Sequence, residues 1–262
     1  MIFHGRETGK LRLVGATGEP VAPPAPDDAP LLQVASLSKR FGEQVALDDV
    51  SFAVREGEVL GLIGPNGAGK TTLLEAMAGL IPADAGEVSW RNTTVAPARR
   101  REVMFYVPDG IRPYGDQHVA RVLSFMAGVY GRTQDDTASA VARVGLHPVL
   151  AQRVAALSKG FHRRLMLALG MLAPHPLLLM DEPFDGLDLK QTRAMMTVLR
   201  GEAARGRTLL LSIHQLTGAE RICDRFVLIS AGKVRGAGTL GELRARVGAP
   251  EAGLEEVFLA LA

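Results

Sequence analysis

Apolar residues in this chain gather in short runs, and the period of each run predicts its element. Val50, Phe52 and Val54 alternate with Ser51, Ala53 and Arg55, the two-residue period of an antiparallel strand with one wet face. Leu32, Val34 and Leu37 predict a short strand before it, and Gly86 to Trp90 another that closes an antiparallel layer. A second class of run is apolar almost throughout: Val59 to Ile63, Val103 to Val107, Leu177 to Met180, Thr208 to Ile213 and Arg225 to Ser230. Such runs are read as strands buried on both faces. Between them the spacing turns helical, in Leu73, Leu74, Ala76, Met77 and Leu80, and in Thr192 to Leu199. Strands alternating with helices predict an α/β fold with a parallel sheet and right-handed crossovers.

Residues from about 116 to 156 carry helical spacing alone, through Val119, Val122, Leu123, Phe125 and Met126, then Val141, Val144, Leu146 and Leu150. A helical subdomain over about 112–172 is the expectation. Gly253 to Leu261 predicts a short amphipathic helix, read as packing. Residues 1–30 show no apolar period, and Glu19 to Asp28 is proline-rich. That composition predicts a disordered leader ahead of a folded unit over 31–262.

Composition changes this picture only at its margins. A chain of 262 residues with 47% hydrophobic and 22% charged residues reads as an ordinary globular protein with a sizeable core. A net charge of +2 is too small to argue for nucleic acid, and Arg99-Arg100-Arg101 reads as a solvated basic turn. Lone Cys223 forms no internal disulfide and suits a reducing compartment. No run reaches the roughly eighteen apolar residues of a membrane span, and Met1 to Gly18 has no signal-peptide core. Cytoplasm is the expected location.

The chemistry concentrates where apolar strands end. Gly64-Pro65-Asn66-Gly67-Ala68-Gly69-Lys70-Thr71-Thr72 fits G-x-x-x-x-G-K-[ST], between a buried strand and a helix. That arrangement aims backbone N–H groups and a helix N-terminus at one point, which attracts phosphate. Lys70 would reach the β- and γ-phosphates and Thr71 would ligate Mg²⁺. A glycine-rich turn with a solvated lysine is the plain alternative. Asp181 and Glu182 close another apolar run, where ligands of parallel sheets bind. Asp181 would hold Mg²⁺, and Glu182 would polarise the attacking water. His214 closes a third run, beside the phosphate-loop strand, within reach of a γ-phosphate. Phe41 would either stack on adenine or pack in the small sheet. No Cys/His spacing suggests zinc, and with no internal repeat there is one nucleotide unit per chain.

A further segment distinguishes among phosphate-loop proteins. Leu157-Ser158-Lys159-Gly160-Phe161-His162-Arg163-Arg164 precedes an apolar helix and resembles a variant of the L-S-G-G-Q signature of ABC transporter ATPases. With Asp181-Glu182-Pro183, Gly186-Leu187-Asp188 and His214, the resemblance covers the chain from about residue 31. It implies a phosphate-loop NTPase core with an antiparallel β subdomain and a helical subdomain. It also implies ATP and Mg²⁺, and a dimer in which Ser158, Lys159 and Gly160 face the γ-phosphate held by the other subunit. Under the same resemblance Phe41 stacks on adenine, Phe184 to Asp188 links the two sites, and His214 is the switch histidine.

Three departures qualify the carry-over. Lys159 replaces a glycine, and Phe161 and His162 stand in the glutamine region; an S-K-G form resembles exporter-type ATPases whose permease is a separate polypeptide. Asp109 stands where the family has a metal-sensing glutamine, and as a shorter carboxylate it could ligate Mg²⁺. Phe184 replaces a small or hydroxyl residue. The expectation is thus an ATP-hydrolysing subunit powering export through a separate membrane permease, peripheral on the cytoplasmic face. Its partner would be a second ATPase subunit, as homodimer ahead of heterodimer. A soluble ABC-type ATPase driving a nucleic-acid or protein-remodelling step is the alternative. A phosphate-loop kinase would leave the Ser158 segment without purpose.

Overall fold

A computed structural model describes residues 30–111, 113–214 and 216–261; the leader expected over 1–30 lies, but for residue 30, outside them. The chain opens with β1 (Leu32–Phe41) and β2 (Gln44–Val54), then β3 (Val59–Ile63) and α1 (Lys70–Ala78). β4 (Ala85–Trp90), β5 (Thr93–Thr94) and β6 (Met104–Val107) follow. Helices α2 (Val119–Val129), α3 (Gln134–Val144) and α4 (Lys159–Leu172) lead to β7 (Leu177–Met180). The last part alternates: α5 (Leu189–Ala203), β8 (Thr208–Ile213), α6 (Leu216–Ile222), β9 (Arg225–Ser230), β10 (Lys233–Gly238), α7 (Leu240–Val247) and α8 (Leu254–Leu261).

Two sheets form. One is four-stranded in the order β2-β1-β4-β5, and the other is six-stranded in the order β10-β9-β3-β8-β7-β6. In the first, β1 pairs antiparallel with both β2 and β4, as the alternating pattern predicts. In the second, β9, β3, β8, β7 and β6 run parallel and β10 closes one edge antiparallel.

Burial on both faces explains the apolar runs. Leu60, Leu62, Leu179, Leu210, Val227 and Ile229 face a core shared with α1 and the antiparallel sheet. Their neighbours Val59, Ile63, Leu178, Leu209, Leu211 and Leu228 face the helices on the other side. Each such side chain stabilises the fold by about 1.5–3 kcal/mol.

Three local features depart from the expected elements. β1 runs on past Leu37 to Phe41, so this ring ends a longer strand than the one expected; it is 51% exposed. Lys39 lies along that strand, buried and paired to Asp84 at 3.0 Å. β10 and α7 were not anticipated. The β9–β10 hairpin turns through Ala231 and Gly232, both at positive φ (48° and 74°), a primed turn made without the usual Asn-Gly.

Candidate functional site

Register decides which residues meet at the C-terminal edge of the parallel strands. Ile63 pairs with Ile213, which sets Gly64 beside His214. Met180 pairs with Leu211, which sets Asp181 beside Ser212. The phosphate loop leaves this edge under tight constraint. A Cβ on Gly64 would stand 2.3 Å from the carbonyl oxygen of Ile229, and one on Gly69 would stand 2.6 Å from that of Ala46. Pro65, Asn66 and Gly67 form the exposed crest of the loop, and Ala68 is buried. Gly69, at φ 101°, delivers the chain into α1, so the helix N-terminus and the loop amides share one concavity. Thr71 and Thr72 form the first turn, exposed and half-buried respectively.

Lys70 folds back into this concavity. Its Nζ donates to the carbonyls of Gly64 at 2.8 Å and Pro65 at 3.1 Å, and lies 3.3 Å from Glu182 Oε1. Thr71 Oγ1 donates to Asp181 Oδ2 at 2.7 Å, and Ser212 Oγ donates to Asp181 Oδ1 at 2.5 Å. The Tyr106 hydroxyl reaches the same carboxylate at 3.4 Å. Burial first, then the charges of Asp181 and Glu75, push the Tyr106 phenol up, so it stays a protonated donor. The Glu75 carboxyl is also raised, by burial and then by Asp181.

Glu182 adopts φ 47°, a region rare for a residue with a side chain and found at functional turns. Its N–H donates to Ser212 Oγ at 2.9 Å. Its carboxylate is gripped from both sides, by Lys70 at Oε1 and by His214 Nδ1 at 2.5 Å from Oε2. Lys70, Thr71, Asp181, Glu182 and His214 therefore converge. Ser212 and Tyr106 complete the group and were not anticipated. A serine inside an apolar run is a buried polar group in need of a partner, and that was the available signal.

The remaining expected residues stand apart from this cluster. Ser158 caps α4, its Oγ accepting from the Phe161 N–H at 3.4 Å. Lys159 pairs with Asp185 at 2.7 Å. Gly160 is buried, and a Cβ there would meet Gln191 Oε1 at 2.7 Å. Asp188 caps α5, accepting from the Gln191 N–H at 2.7 Å. Asp109 pairs with Arg163 of α4. Phe41 carries Lys39 Nζ 5.3 Å from its ring centroid. Phe184, unexplained from sequence, is 9% exposed and packed into the core beside Met196 and Ile213.

Comparison with known proteins agrees with this geometry. A family model described as "ABC transporter" matches residues 47–185. The chain belongs to the ABC transporter family. As an ABC ATP-binding subunit it has the phosphate-loop NTPase fold, binds ATP and hydrolyses it. It is 36% identical over 231 residues to the Nod factor export ATP-binding protein I of Ralstonia nicotianae, covering 84% of this chain and 71% of that one. It is 32% identical over 240 residues to a probable multidrug ABC transporter ATP-binding protein, YbhF, of Escherichia coli. That match covers 88% of this chain but spans only 41% of the longer relative. A solved ATP-binding subunit of an ABC transporter superposes with a TM-score of 0.80 at 33% identity, over 88% of this chain and 99% of that one.

Proposed function

We propose that this ABC subunit hydrolyses ATP at the Lys70–Glu182 cluster to drive export through a separate membrane permease. The observation that carries the site assignment is Glu182, held between the Lys70 ammonium and the His214 imidazole at the C-terminal edge of the sheet. The loop amides of residues 64–72 and the N-terminus of α1 would cradle the phosphates. Lys70 would exchange the carbonyls of Gly64 and Pro65 for the β- and γ-phosphates, which releases Glu182 Oε1. Glu182 would then accept a hydrogen bond from the attacking water, while His214 Nδ1 fixes the other carboxylate oxygen. Base assistance of this kind contributes about 10²–10⁴-fold, and charge complementarity at the phosphates contributes the larger share.

Thr71 and Asp181 present hard oxygen donors beside the loop, a set that suits Mg²⁺. They would hold the ion, which supplies charge neutralisation for the phosphates when bound. Among the described residues no helix is long and apolar enough to cross a membrane. The export reading draws support from the S-K-G signature and from relatives named for Nod factor export and probable multidrug transport. In this reading the subunit sits on the cytoplasmic face, as one of two ATPase chains with a permease.

Co-purification tests it. Tagged chain extracted from membranes in detergent should bring down a protein with several membrane spans. The Glu182→Gln complex should keep that partner and lose ATPase activity. Recovery of the chain without a membrane partner would contradict the export reading.

A further inference from the structure

Four charged residues stand apart from the Lys70–Glu182 cluster, without a part in the chemistry above: Asp109, Lys159, Arg163 and Asp185. Arg163 stands early in α4, and its side chain is only 8% exposed. A guanidinium that deep is tolerated only when carboxylates and hydrogen bonds surround it. It has both. Its Nη2 pairs with Asp109 Oδ1 and lies 3.9 Å from Asp185 Oδ2, and its Nε donates to the Asp185 carbonyl at 3.5 Å. Asp185 Oδ2 also receives Lys159 Nζ at 2.7 Å.

These partners sit on different elements. Asp109 follows β6 and Asp185 follows β7, neighbouring parallel strands in which Val107 pairs with Met180. Arg163 therefore fastens the two loops that leave the sheet edge to the start of α4. Asp185 in turn donates its N–H to the carbonyl of Glu182 at 3.1 Å. An unbroken chain of contacts runs from the Ser158–Gly160 end of α4, through Arg163 and Asp185, to Glu182. The Lys159 hydrogen bond first, then the charges of Lys159 and Arg163, hold the Asp185 carboxyl below the ordinary range.

We propose that Asp109 acts as the anchor of Arg163 and not as a metal ligand, and that Arg163 is a positioning residue. It holds the Ser158–Gly160 end of α4 in register with Glu182. A glutamine at 109 has no charge with which to neutralise a buried guanidinium. This rests on the ATPase reading above. The Asp109 carboxylate is the feature that lets this chain carry arginine at position 163.

A double-mutant cycle in the full chain decides it, using Asp109→Asn, Arg163→Met and the two combined. Two quantities are read: steady-state ATPase kinetics, and the ATP-induced rise in Tm titrated with Mg²⁺. Each single variant should lose about tenfold in kcat with KM for ATP within about twofold, and the double variant should be no worse than the poorer single. The Mg²⁺ midpoint of the Tm rise should be unchanged in Asp109→Asn. Should Arg163→Met fail to fold, Arg163→Lys keeps the charge, loses the planar fork, and should fall between wild type and Asp109→Asn. The proposal is overturned by multiplying losses in the double variant or by single variants at wild-type kcat. A Mg²⁺ midpoint moved about tenfold by Asp109→Asn, the mark of a lost ligand, also overturns it. A wild-type chain whose Tm ignores ATP and Mg²⁺ would instead overturn the ATPase reading itself.

Discussion

A glycine can be required for what it lets approach or for the dihedral it adopts, and the phosphate loop contains both kinds. Gly64 is of the first kind, with the Ile229 carbonyl in the space a Cβ would need. Gly67 is of the second, at φ 81° with nothing within 4 Å of a Cβ. Gly64→Ala should therefore cost about 2–3 kcal/mol of stability, because backbone must move to admit the methyl. Gly67→Ala should cost only about 1 kcal/mol of dihedral strain. Denaturant unfolding of the two variants checks this, and equal losses would refute the distinction. Glu182 shows the same economy with a side chain present. Its φ of 47° is held by the Ser212 hydroxyl. Lys70, Asp181, Glu182 and His214 were legible because each closes an apolar run or a glycine loop. Ser212 and Arg163 were not, for a physical reason. Their partners lie 31 and 54 residues away in sequence, so no local pattern names the partner of either.

Elements were legible where local period and burial agree, as in the parallel strands. β10 escaped because its turn, Ala231-Gly232, lacks the residues that advertise a hairpin, and its strand carries Gly236 and Gly238 in place of alternating apolar residues. Tertiary bonds hold that turn instead: the Gly232 N–H donates to Ala68 O at 3.1 Å, and Gly232 O accepts from Asp48 at 2.9 Å. At α4 the cap is local, and Ser158→Ala should cost about 1 kcal/mol while Ser158→Thr costs less, measurable by thermal unfolding. His175 offers a test by pH. It joins α4 to β7, with Nε2 2.8 Å from the Arg101 carbonyl and its ring against Phe105 and Tyr130. Its Nδ1 is buried and has no hydrogen-bond partner among the described residues. Burial first, and the Arg207 charge as well, lower its pKa from the ordinary 6.5. The unfolded chain thus binds this proton more readily, and the fold loses stability as pH falls below about 6.5. His175→Phe should flatten that part of the pH–stability curve between pH 7.5 and 5 (roughly the window set by an unperturbed imidazole). An unchanged slope would show that His175 does not titrate against the fold.

At the scale of the molecule, alternation of strands and helices was enough to anticipate a parallel core with an antiparallel layer. The order β10-β9-β3-β8-β7-β6 was legible only at its centre, where the His214 strand was expected beside the phosphate-loop strand. The rest depends on crossovers that periodicity does not encode. Architecture also bears on assembly. Among the described residues, neither Ser158 nor Gly160 makes a hydrogen bond or ion pair with Lys70, Thr71, Asp181, Glu182 or His214. In the dimer proposed above, the signature segment would meet the γ-phosphate from a second chain. The central claim is that Glu182 drives hydrolysis of ATP held by Lys70 between two such chains. Size-exclusion chromatography with light scattering, with bound nucleotide quantified, tests it on Glu182→Gln in ATP and Mg²⁺. The expected result is a species of twice the 27.9 kDa chain mass that retains unhydrolysed ATP. A Glu182→Gln chain that turns ATP over at the wild-type rate, or holds ATP and stays at the mass of one chain, would contradict it.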